Sequence, residues 1–331
     1  MTAAPLLSIR ALQVVLRLDD GVVPILDGID LDLAPGKVMA LVGESGSGKS
    51  VTAQAILRIL PRTLQIAGGT MLLRSNGAVL DLAGVPADGK VMQGIRGRRI
   101  GMIFQEPMSS FSPLHTVGNQ VGEVLRIHER LSKQAARQRT IELLDRVGIP
   151  NPARAVDRYP FEFSGGMRQR AMIAKALSCN PALLLADEPT TALDVTIQAQ
   201  ILTLMRDLQA EFGMGILFIT HDLGVVAQMA DEVAIMYAGR IVERGPVRAI
   251  FRDPQHPYTM NLLRAVPRLV DLHRRRSLEP IRGSVPSLYD MPEGCSFHPR
   301  CEFFMAGRCD VAPPKLAAVG ANHLAACYRH G

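Results

Sequence analysis

Residues 43–50 are Gly43-Glu44-Ser45-Gly46-Ser47-Gly48-Lys49-Ser50, which match the phosphate-loop pattern G-x-x-x-x-G-K-[S/T]. The apolar run before the loop, Val38–Val42, predicts a buried strand, and the pattern from Ser50 to Leu60 predicts a helix that Pro61 ends. Glycines let successive backbone N–H groups turn inward around phosphate oxygens, and a helix adds its positive N-terminal end. Strand, loop and helix in this order predict a site for nucleotide phosphates.

Individual side chains of this loop have expected roles. Lys49 is expected to reach the β- and γ-phosphates, and the hydroxyl of Ser50 is expected to bind Mg²⁺. The alternative is a glycine-rich turn with a surface lysine, which the predicted strand and helix on either side disfavour. The candidate nucleotide-binding residues are Gly43, Glu44, Ser45, Gly46, Ser47, Gly48, Lys49, Ser50 and Val51.

A second stretch complements the loop. Residues 183–189 are Leu183-Leu184-Leu185-Ala186-Asp187-Glu188-Pro189, a predicted buried strand that ends in two acids. Next to a phosphate site, Asp187 is expected near the metal and Glu188 near the attacking water. An acidic strand-to-loop cap is the alternative, and the phosphate loop upstream favours hydrolysis.

The remaining chain alternates strand and helix patterns, which is typical of an α/β domain. Ile216–Ile219 predicts another buried strand, whereas helical patterns such as 133–147 indicate a helical insertion over about 110–180. Composition changes near Phe251, where prolines become frequent. We therefore expect a nucleotide-binding domain over residues 1–250 and a separate extension over 251–331.

Composition limits the possible classes of protein. The 331 residues carry a net charge of +6, which does not by itself indicate nucleic acid. No apolar stretch approaches the roughly 20 residues of a membrane-spanning helix, and the first residues lack a secretory pattern. A cytosolic location is therefore expected, in which the five cysteines would be free thiols or metal ligands.

A third motif narrows the family. The residues Phe163-Ser164-Gly165-Gly166-Met167 resemble the signature of the ATP-binding subunits of ABC transporters, usually Leu-Ser-Gly-Gly-Gln, and depart from it at the first and last positions. The resemblance implies a P-loop ABC-type fold with a parallel-sheet core, an antiparallel β subdomain and a helical subdomain. A small cysteine-rich C-terminal extension would complete the chain.

The resemblance also implies roles at the ATP site. Two chains would bind two ATP molecules head to tail, so that the partner's ATP is contacted by Ser164, Gly165, Gly166, Met167 and Asp194. Gln105 matches a glutamine that contacts Mg²⁺, and His221 matches a histidine on the γ-phosphate. The implied catalytic residues are Glu188, His221, Lys49 and Gln105, and the implied magnesium ligands are Ser50, Gln105 and Asp187.

A closer resemblance is to the ATPases of dipeptide, oligopeptide and nickel importers. It rests on residues 103–110, 159–167, 256–259 and 294–301, which include His256-Pro257-Tyr258-Thr259. This resemblance implies a peptide-import ATPase on the cytoplasmic face of the plasma membrane. Its partners would be a second related ATPase, two integral membrane permease subunits and, indirectly, an extracytoplasmic solute-binding protein, with no nucleic acid. Met167 is similar to the first of the two ATPase subunits that such importers encode.

The C-terminal cysteines form a separate candidate site. Cys295, Cys301, Cys309 and Cys327 have the spacing C-x5-C-x7-C-x17-C in a segment with little apolar periodicity. So short a segment needs a stabilising cross-link or metal site. Four thiolates can bind zinc or an iron–sulfur cluster, or the thiols can remain unliganded. The resemblance to peptide importers implies a four-iron, four-sulfur cluster, with zinc as the alternative. Cys179 is expected to be an ordinary buried thiol.

The sequence is also compatible with other functions. Within the same family the solute could be nickel or another small molecule. A non-transport ABC ATPase would carry long coiled coils or large zinc insertions, and no sustained heptads occur between Lys49 and Ser164. A metal or redox sensor built on the tail is a third possibility.

Overall fold

The computed structural model describes residues 4–19, 21–75, 77–105, 110–191, 193–265 and 281–330. The strands are β1 (Leu7–Leu18), β2 (Gly21–Leu33), β3 (Val38–Val42), β4 (Leu64–Ser75), β5 (Ala78–Asp81), β6 (Ile100–Ile103), β7 (Leu183–Asp187), β8 (Gly215–Thr220), β9 (Glu232–Tyr237), β10 (Arg240–Pro246), β11 (Ala317–Gly320) and β12 (His323–Ala325). The α-helices are α1 (Lys49–Ile56), α2 (Lys90–Ile95), α3 (Val117–His128), α4 (Lys133–Arg146), α5 (Pro152–Ala155), α6 (Gly165–Leu177), α7 (Val195–Phe212), α8 (Leu223–Met229), α9 (Val247–Arg252) and α10 (Pro257–Arg264). The mixture of parallel strands and helices confirms the predicted α/β class.

The chain divides into two compact units, each assembled from segments that are distant in sequence. Unit 1 comprises Met1–Leu6, Leu33–Lys37 and Leu73–Ile219. Unit 2 comprises Leu7–Asp32, Val38–Leu72 and Thr220–Gly331. The phosphate loop and the C-terminal cysteines therefore belong to one unit, and the acidic end of β7 and the signature belong to the other.

Unit 1 is built on the parallel strands β6, β7 and β8. Ile100 pairs with Leu183 and Leu183 pairs with Gly215, and all five residues of β7 are buried. Helices α3 and α4 pack against each other and both contact α6, so these three helices between β6 and β7 form one packed group. Gly101 permits the close approach of α6 to β6, because a Cβ there would lie 2.4 Å from the carbonyl oxygen of Ala176.

Unit 2 carries a mixed sheet in the order β11–β12–β10–β9–β3. β3 pairs with β9 in parallel, and β9, β10, β12 and β11 pair antiparallel in turn. Glu243 of β10 lies opposite Ala325 of β12, so two short strands near the C-terminus extend the same sheet as the strand before the phosphate loop. β2, β1 and β4 are hydrogen-bonded neighbours in that order in a second sheet.

An aromatic cluster fixes the C-terminal segment within unit 2. Tyr237 of β9, Tyr258 of α10 and Phe297 are each at most 1% exposed. Their ring centroids lie 4.6 Å apart for Tyr237–Tyr258, 5.3 Å for Tyr237–Phe297 and 5.4 Å for Tyr258–Phe297. Such aromatic pairs contribute about 1 kcal/mol each beyond their burial. The extension is thus packed onto a core that begins at the strands of the nucleotide-binding fold.

The helix after the phosphate loop is shorter than predicted. Helix α1 ends at Ile56 rather than at Leu60, because Arg58 adopts a left-handed backbone with φ of 56°. The N–H of Arg58 donates to the carbonyl of Ala55 at 3.0 Å, and the N–H of Ile59 donates to that of Gln54 at 2.9 Å. These two bonds form a Schellman ending, in which an arginine occupies the position that glycine usually takes. The prediction that Pro61 ends this helix was wrong.

Candidate nucleotide-binding and hydrolysis site

The phosphate loop starts directly after the fully buried strand β3. Gly43 and Gly48 are required for steric reasons, because a Cβ on Gly43 would lie 2.2 Å from the carbonyl oxygen of Met236, and Gly48 has φ of 102°. The N–H of Ser47 donates to the carbonyl of Glu44 at 3.2 Å, which closes the turn. Ser50 and Val51 lie half-buried in the first turn of α1. The loop is therefore a tight, backbone-lined turn at a helix N-terminus, which is suited to bind phosphate.

Lys49 lies inside this turn. Its side chain is buried, and Nζ donates to the carbonyl oxygens of Gly43 at 2.8 Å and Glu44 at 2.9 Å. The alternative of a surface lysine on a glycine-rich turn is therefore wrong. The ammonium group is held where the loop would surround a phosphate.

Glu44, the second residue of the loop, is held by the C-terminal segment. Its N–H donates to the Tyr258 hydroxyl at 2.9 Å, and its carboxylate accepts from both terminal nitrogens of Arg300, at 2.8 Å and 3.2 Å. Burial works against the charged guanidinium, yet the hydrogen bonds to Glu44 and Tyr237 raise the pKa of Arg300 above its ordinary value. No sequence motif points to Tyr258 or Arg300 as neighbours of the loop.

In unit 1, the acidic end of β7 carries the second candidate motif. Asp187 is 4% exposed, whereas Glu188 is half-buried and has a left-handed backbone with φ of 46°. The N–H of Glu188 donates to the carbonyl of Ile219 at 2.9 Å. A left-handed backbone at a residue other than glycine costs about 1–2 kcal/mol, so the surrounding hydrogen bonds stabilise an unfavourable conformation of Glu188.

The carboxylate of Glu188 is oriented by two side chains. Its Oε2 accepts from the hydroxyl of Thr191 at 2.9 Å and from the amide Nε2 of Gln105 at 3.2 Å. The structure thus brings together Gln105 and Glu188, which are 83 residues apart and were both candidates from sequence. Thr191 was not a candidate, although its position three residues after Glu188 places it in the same turn.

The signature residues cap helix α6. The hydroxyl of Ser164 accepts from the N–H of Met167 at 3.3 Å, and Ser164, Gly165 and Gly166 lie at or near the surface at the start of the helix. Phe163, at the position where the family has leucine, is 2% exposed and fills a core position. A helix N-terminus with two glycines leaves its backbone N–H groups accessible to an anion.

Gln169 connects this helix to the acidic strand. The side chain is 1% exposed, and its amide donates to the carbonyl of Pro189, the residue after Glu188. The sequence does not single out Gln169, because nothing local distinguishes it from other helical glutamines. This buried hydrogen bond from the side-chain amide links the position of the signature helix to that of Glu188.

Two further candidates lie at helix starts. Asp194 caps α7, where its Oδ1 accepts from the N–H of Ile197 at 2.9 Å, and it is exposed. His221 follows β8, is exposed and belongs to unit 2, like the phosphate loop. Ala192 and residues 106–109, which the family motifs include, lie outside the described residues.

The four C-terminal cysteines are free thiols in one region of unit 2. The N–H of Cys295 donates to the carbonyl of Cys309 at 2.8 Å. Burial raises the pKa of Cys295 to about 11, and the charges of Cys327, Cys301 and Cys309 add to this shift. Among the described residues no group of three or more His, Cys, Asp or Glu side chains could hold a metal ion. The expectation of an iron–sulfur or zinc site is not supported by this arrangement.

Cys179 is 9% exposed and burial raises its pKa, which confirms an ordinary buried thiol. Among the helices of the described residues, none is long and apolar enough to cross a membrane.

Family models match two parts of the chain. The model described as ABC transporter matches residues 26–191, which include the phosphate loop, the signature and Glu188. The model described as oligopeptide/dipeptide transporter, C-terminal region, matches residues 242–309, which include Arg300 and three of the four C-terminal cysteines.

Named relatives match along nearly the whole chain. It is 52% identical to a putative peptide import ATP-binding protein of Brucella ovis, over 99% of this chain and 98% of that protein. It is 48% identical to the oligopeptide transport ATP-binding protein OppD of Bacillus subtilis, over 98% of this chain and 89% of that protein.

Solved structures show the same fold. A dimeric ATP-binding cassette in a post-hydrolysis state, bound to ADP and Pi, is 25% identical with a TM-score of 0.64, over 73% of this chain and 99% of that one. The protein cbiO1 of Clostridium perfringens, part of an ABC transporter complex, is 26% identical with a TM-score of 0.64, over 82% of this chain and 99% of that one. With the phosphate loop, the acidic strand and the signature all in place, the chain belongs to the ATP-hydrolysing subunits of ABC transporters, in the oligopeptide/dipeptide group.

Proposed function

We propose that this protein couples ATP hydrolysis to the import of dipeptides or oligopeptides. The observation that carries the proposal is the identity of about half of all residues, over nearly the full length, to peptide import ATP-binding proteins. The alternative solutes are nickel and other small molecules of the same importer group. A nucleic-acid-dependent ATPase is the less favoured class, because no relative named above carries that description.

The proposed chemistry assigns one role to each candidate residue. Lys49 and the backbone N–H groups of the loop would stabilise the negative charge that develops during phosphoryl transfer. Glu188, held by Thr191 and Gln105, would orient the attacking water and accept its proton. His221 would donate a hydrogen bond to the transferring phosphoryl group.

The oxygen-rich donor set fits magnesium. Ser50, Asp187 and Gln105 offer a hydroxyl, a carboxylate and an amide oxygen, which are the ligand types that Mg²⁺ prefers. When bound with ATP, the ion would neutralise charge on the β- and γ-phosphates. These three side chains are the ones we assign to it.

We further propose a head-to-tail heterodimer with a second, related ATPase. The capped N-terminus of α6 carries Ser164, Gly165 and Gly166 near the surface, and exposed Asp194 begins α7 in the same unit. Accessible N–H groups at a helix start suit a partner's ATP, since this chain has its own phosphate loop. Met167 in place of the usual glutamine supports two different subunits rather than two copies of one. ATP binding would close the dimer and hydrolysis would reopen it.

The helical insertion is the surface that we assign to the membrane permeases. Leu114 and Ile127 are exposed apolar side chains on this segment, and the rings of Tyr159 and Phe161 stack with centroids 5.4 Å apart at 39% and 62% exposure. Exposed aromatic pairs of this kind are typical of protein docking surfaces. Two integral permease subunits would hold the protein at the cytoplasmic face of the membrane, and an extracytoplasmic binding protein would deliver the solute to them.

We assign residues 1–250 to the ATPase domain and 251–331 to an extension built upon it. Within the extension, we propose that Cys295, Cys301, Cys309 and Cys327 hold a four-iron, four-sulfur cluster. The proposal is supported by four free thiols in a short segment, where burial raises the pKa of Cys295 and the charges of the other three cysteines add to that rise. Each thiolate of such a cluster binds a different iron, so the four sulfurs need not converge on one point as they do around zinc.

Metal analysis tests the tail directly. Anaerobically purified protein is expected to be brown, with about four irons per chain. A colourless protein with one zinc per chain would support the alternative, and a metal-free protein with a folded tail would contradict both. Replacing Cys309 with serine is expected to remove the colour, while replacing Cys179 with serine is the matched control that retains it.

Transport in reconstituted vesicles tests the function. The complex of this chain, its ATPase partner and the two permeases is expected to accumulate labelled di- or oligopeptides only with ATP and binding protein present. Uptake of Ni²⁺ without uptake of peptide would show that the importer carries nickel and not peptides. Stimulation of ATP hydrolysis by DNA, without any uptake, would contradict the transport function itself.

A further inference from the structure

The C-terminal extension reaches the phosphate loop through two side chains that converge on Glu44. The hydroxyl of Tyr258 accepts the N–H of Glu44 at 2.9 Å, and Arg300 donates two hydrogen bonds to its carboxylate, at 2.8 Å and 3.2 Å. Tyr258 and Arg300 lie 214 and 256 residues after Glu44 in the sequence. All three residues belong to unit 2.

Arg300 is built into this position rather than resting on the surface. Its side chain is 4% exposed, and its guanidinium lies 5.8 Å from the ring centroids of both Tyr237 and Phe297. Nε donates to the carbonyl of Arg282 at 2.9 Å, and Nη1 also donates to the Tyr237 hydroxyl at 3.3 Å. The Glu44 side chain is 28% exposed, and a two-pronged arginine–carboxylate pair whose arginine is buried is stronger than a fully exposed ion pair.

The charge of Glu44 makes this contact relevant to ATP. A carboxylate in a loop that binds polyphosphate repels the ligand, and the loop's one lysine, Lys49, contacts the backbone carbonyl of Glu44 rather than its carboxylate. The guanidinium of Arg300 supplies the missing opposite charge. The Tyr258 hydroxyl at the same time fixes the direction of the Glu44 N–H, and with it the first turn of the loop.

We infer that Arg300 is a positioning residue for the phosphate loop, through which the C-terminal extension sets the affinity for ATP. The inference rests on the ATP-binding function and adds a role for a residue outside the ATPase motifs. In this role Arg300 acts on ATP by neutralising Glu44 rather than by binding the nucleotide itself. Cys301 follows it in the same turn, where the N–H of Arg300 donates to the carbonyl of Phe297 at 3.0 Å. Changes in the fold around the cysteines would therefore reach the loop through Arg300.

Equilibrium binding of MgATP to the full-length chain tests the inference. Replacing Arg300 with methionine is expected to weaken ATP binding about tenfold, because it leaves a carboxylate uncompensated beside the phosphates. Replacing Arg300 with lysine is expected to recover part of the affinity, since the charge returns without the two-pronged geometry. The matched control is Arg264→Met, which breaks an exposed pair with Glu302 (2.8 Å) in the same segment and is expected to leave affinity unchanged.

A double-mutant cycle separates charge compensation from simple folding. Adding Arg300→Met to Glu44→Gln is expected to weaken ATP binding less than twofold relative to Glu44→Gln alone, because no carboxylate remains to be compensated. Equal losses in both backgrounds, or no loss from Arg300→Met alone, would overturn the inference. A chain that binds no ATP in any form would instead contradict the ATPase function, so the two failures are distinguishable.

Discussion

Glu188 and Glu243 show how the surroundings of a carboxylate determine its role. Glu188 follows β7 directly, and Glu243 lies in the middle of β10. Glu188 is half-buried and accepts hydrogen bonds from two side chains, Thr191 and Gln105. Glu243 is fully buried and accepts from the backbone N–H groups of Gln255 at 2.7 Å and His256 at 2.8 Å, and it contacts Nε2 of His323 at 2.7 Å.

The difference between them lies in solvent access and in the type of donor. Backbone N–H groups and a buried imidazole fix Glu243 as a structural link between β10, the segment before α10 and β12. Flexible side chains and partial exposure leave Glu188 able to meet a water molecule. A buried carboxylate with all its partners stabilises a fold, whereas an oriented and accessible one can accept a proton.

The largest effect is expected at Glu243. Replacing it with alanine removes the acceptor of two backbone N–H groups and one imidazole in a buried site, so unfolding free energy should fall by about 3 kcal/mol. Denaturant unfolding with a probe on the C-terminal segment measures this loss. The control is Glu302→Ala, which breaks only an exposed pair and should cost less than about 1 kcal/mol. Equal losses of unfolding free energy in the two variants would contradict the structural role of Glu243.

A smaller effect is expected from pH, through the neighbour of Glu243. Burial and the charge of His330 lower the pKa of His256 from 6.5 to about 3, so the folded protein keeps this imidazole neutral. Its Nδ1 accepts the N–H of Tyr258 at 3.1 Å. The unfolded chain binds a proton below pH 6.5, so this contribution to stability is lost as pH falls from 6.5 towards 3.

The expected loss between pH 7 and pH 5 is about 2 kcal/mol from His256 alone. Replacing His256 with asparagine keeps a short acceptor at the helix start and should remove that part of the slope. Unfolding free energies of both proteins at the two pH values give the measurement. Parallel pH profiles would show that His256 takes up its proton without unfolding, contrary to its burial.

The smallest effect concerns one hydrogen bond to Glu188. Thr191→Val removes the hydroxyl that donates to Oε2 at 2.9 Å while keeping the shape of the side chain. The lost hydrogen bond contributes about 0.7 kcal/mol to the orientation of Glu188, so its removal should lower ATP turnover about threefold. Thr191→Ser, which retains the hydroxyl, is the matched control. If valine and serine variants turn over ATP at the same rate, the hydroxyl does not orient Glu188.

The sequence predicted the parts of the molecule that short segments determine. The phosphate loop, strand β7 and the helical insertion follow from glycine spacing, an apolar run and helical periodicity, all within a few tens of residues. The predicted end of α1 was wrong, because an arginine that adopts a left-handed backbone at position 58 carries no sequence signal comparable to that of glycine.

Contacts across the chain could not be predicted. Arg300 and Glu44 are 256 residues apart, and Gln169 meets Pro189 only because α6 packs beside β7's end. The extension was expected to be a separate segment with little core, yet Tyr258 and Phe297 share one aromatic cluster with Tyr237 of β9. Pairing of this kind depends on the tertiary fold, which a single sequence pattern does not encode.

The catalytic role of Glu188 is tested by single-turnover hydrolysis in the assembled ATPase pair, with Glu188→Gln in this chain. The amide keeps the size of the side chain but cannot accept the proton of water, so hydrolysis at this site should fall by at least about a hundredfold. MgATP binding and unfolding free energy should stay close to those of the unchanged protein. Hydrolysis within a few-fold of that protein would contradict the role of Glu188 in catalysis.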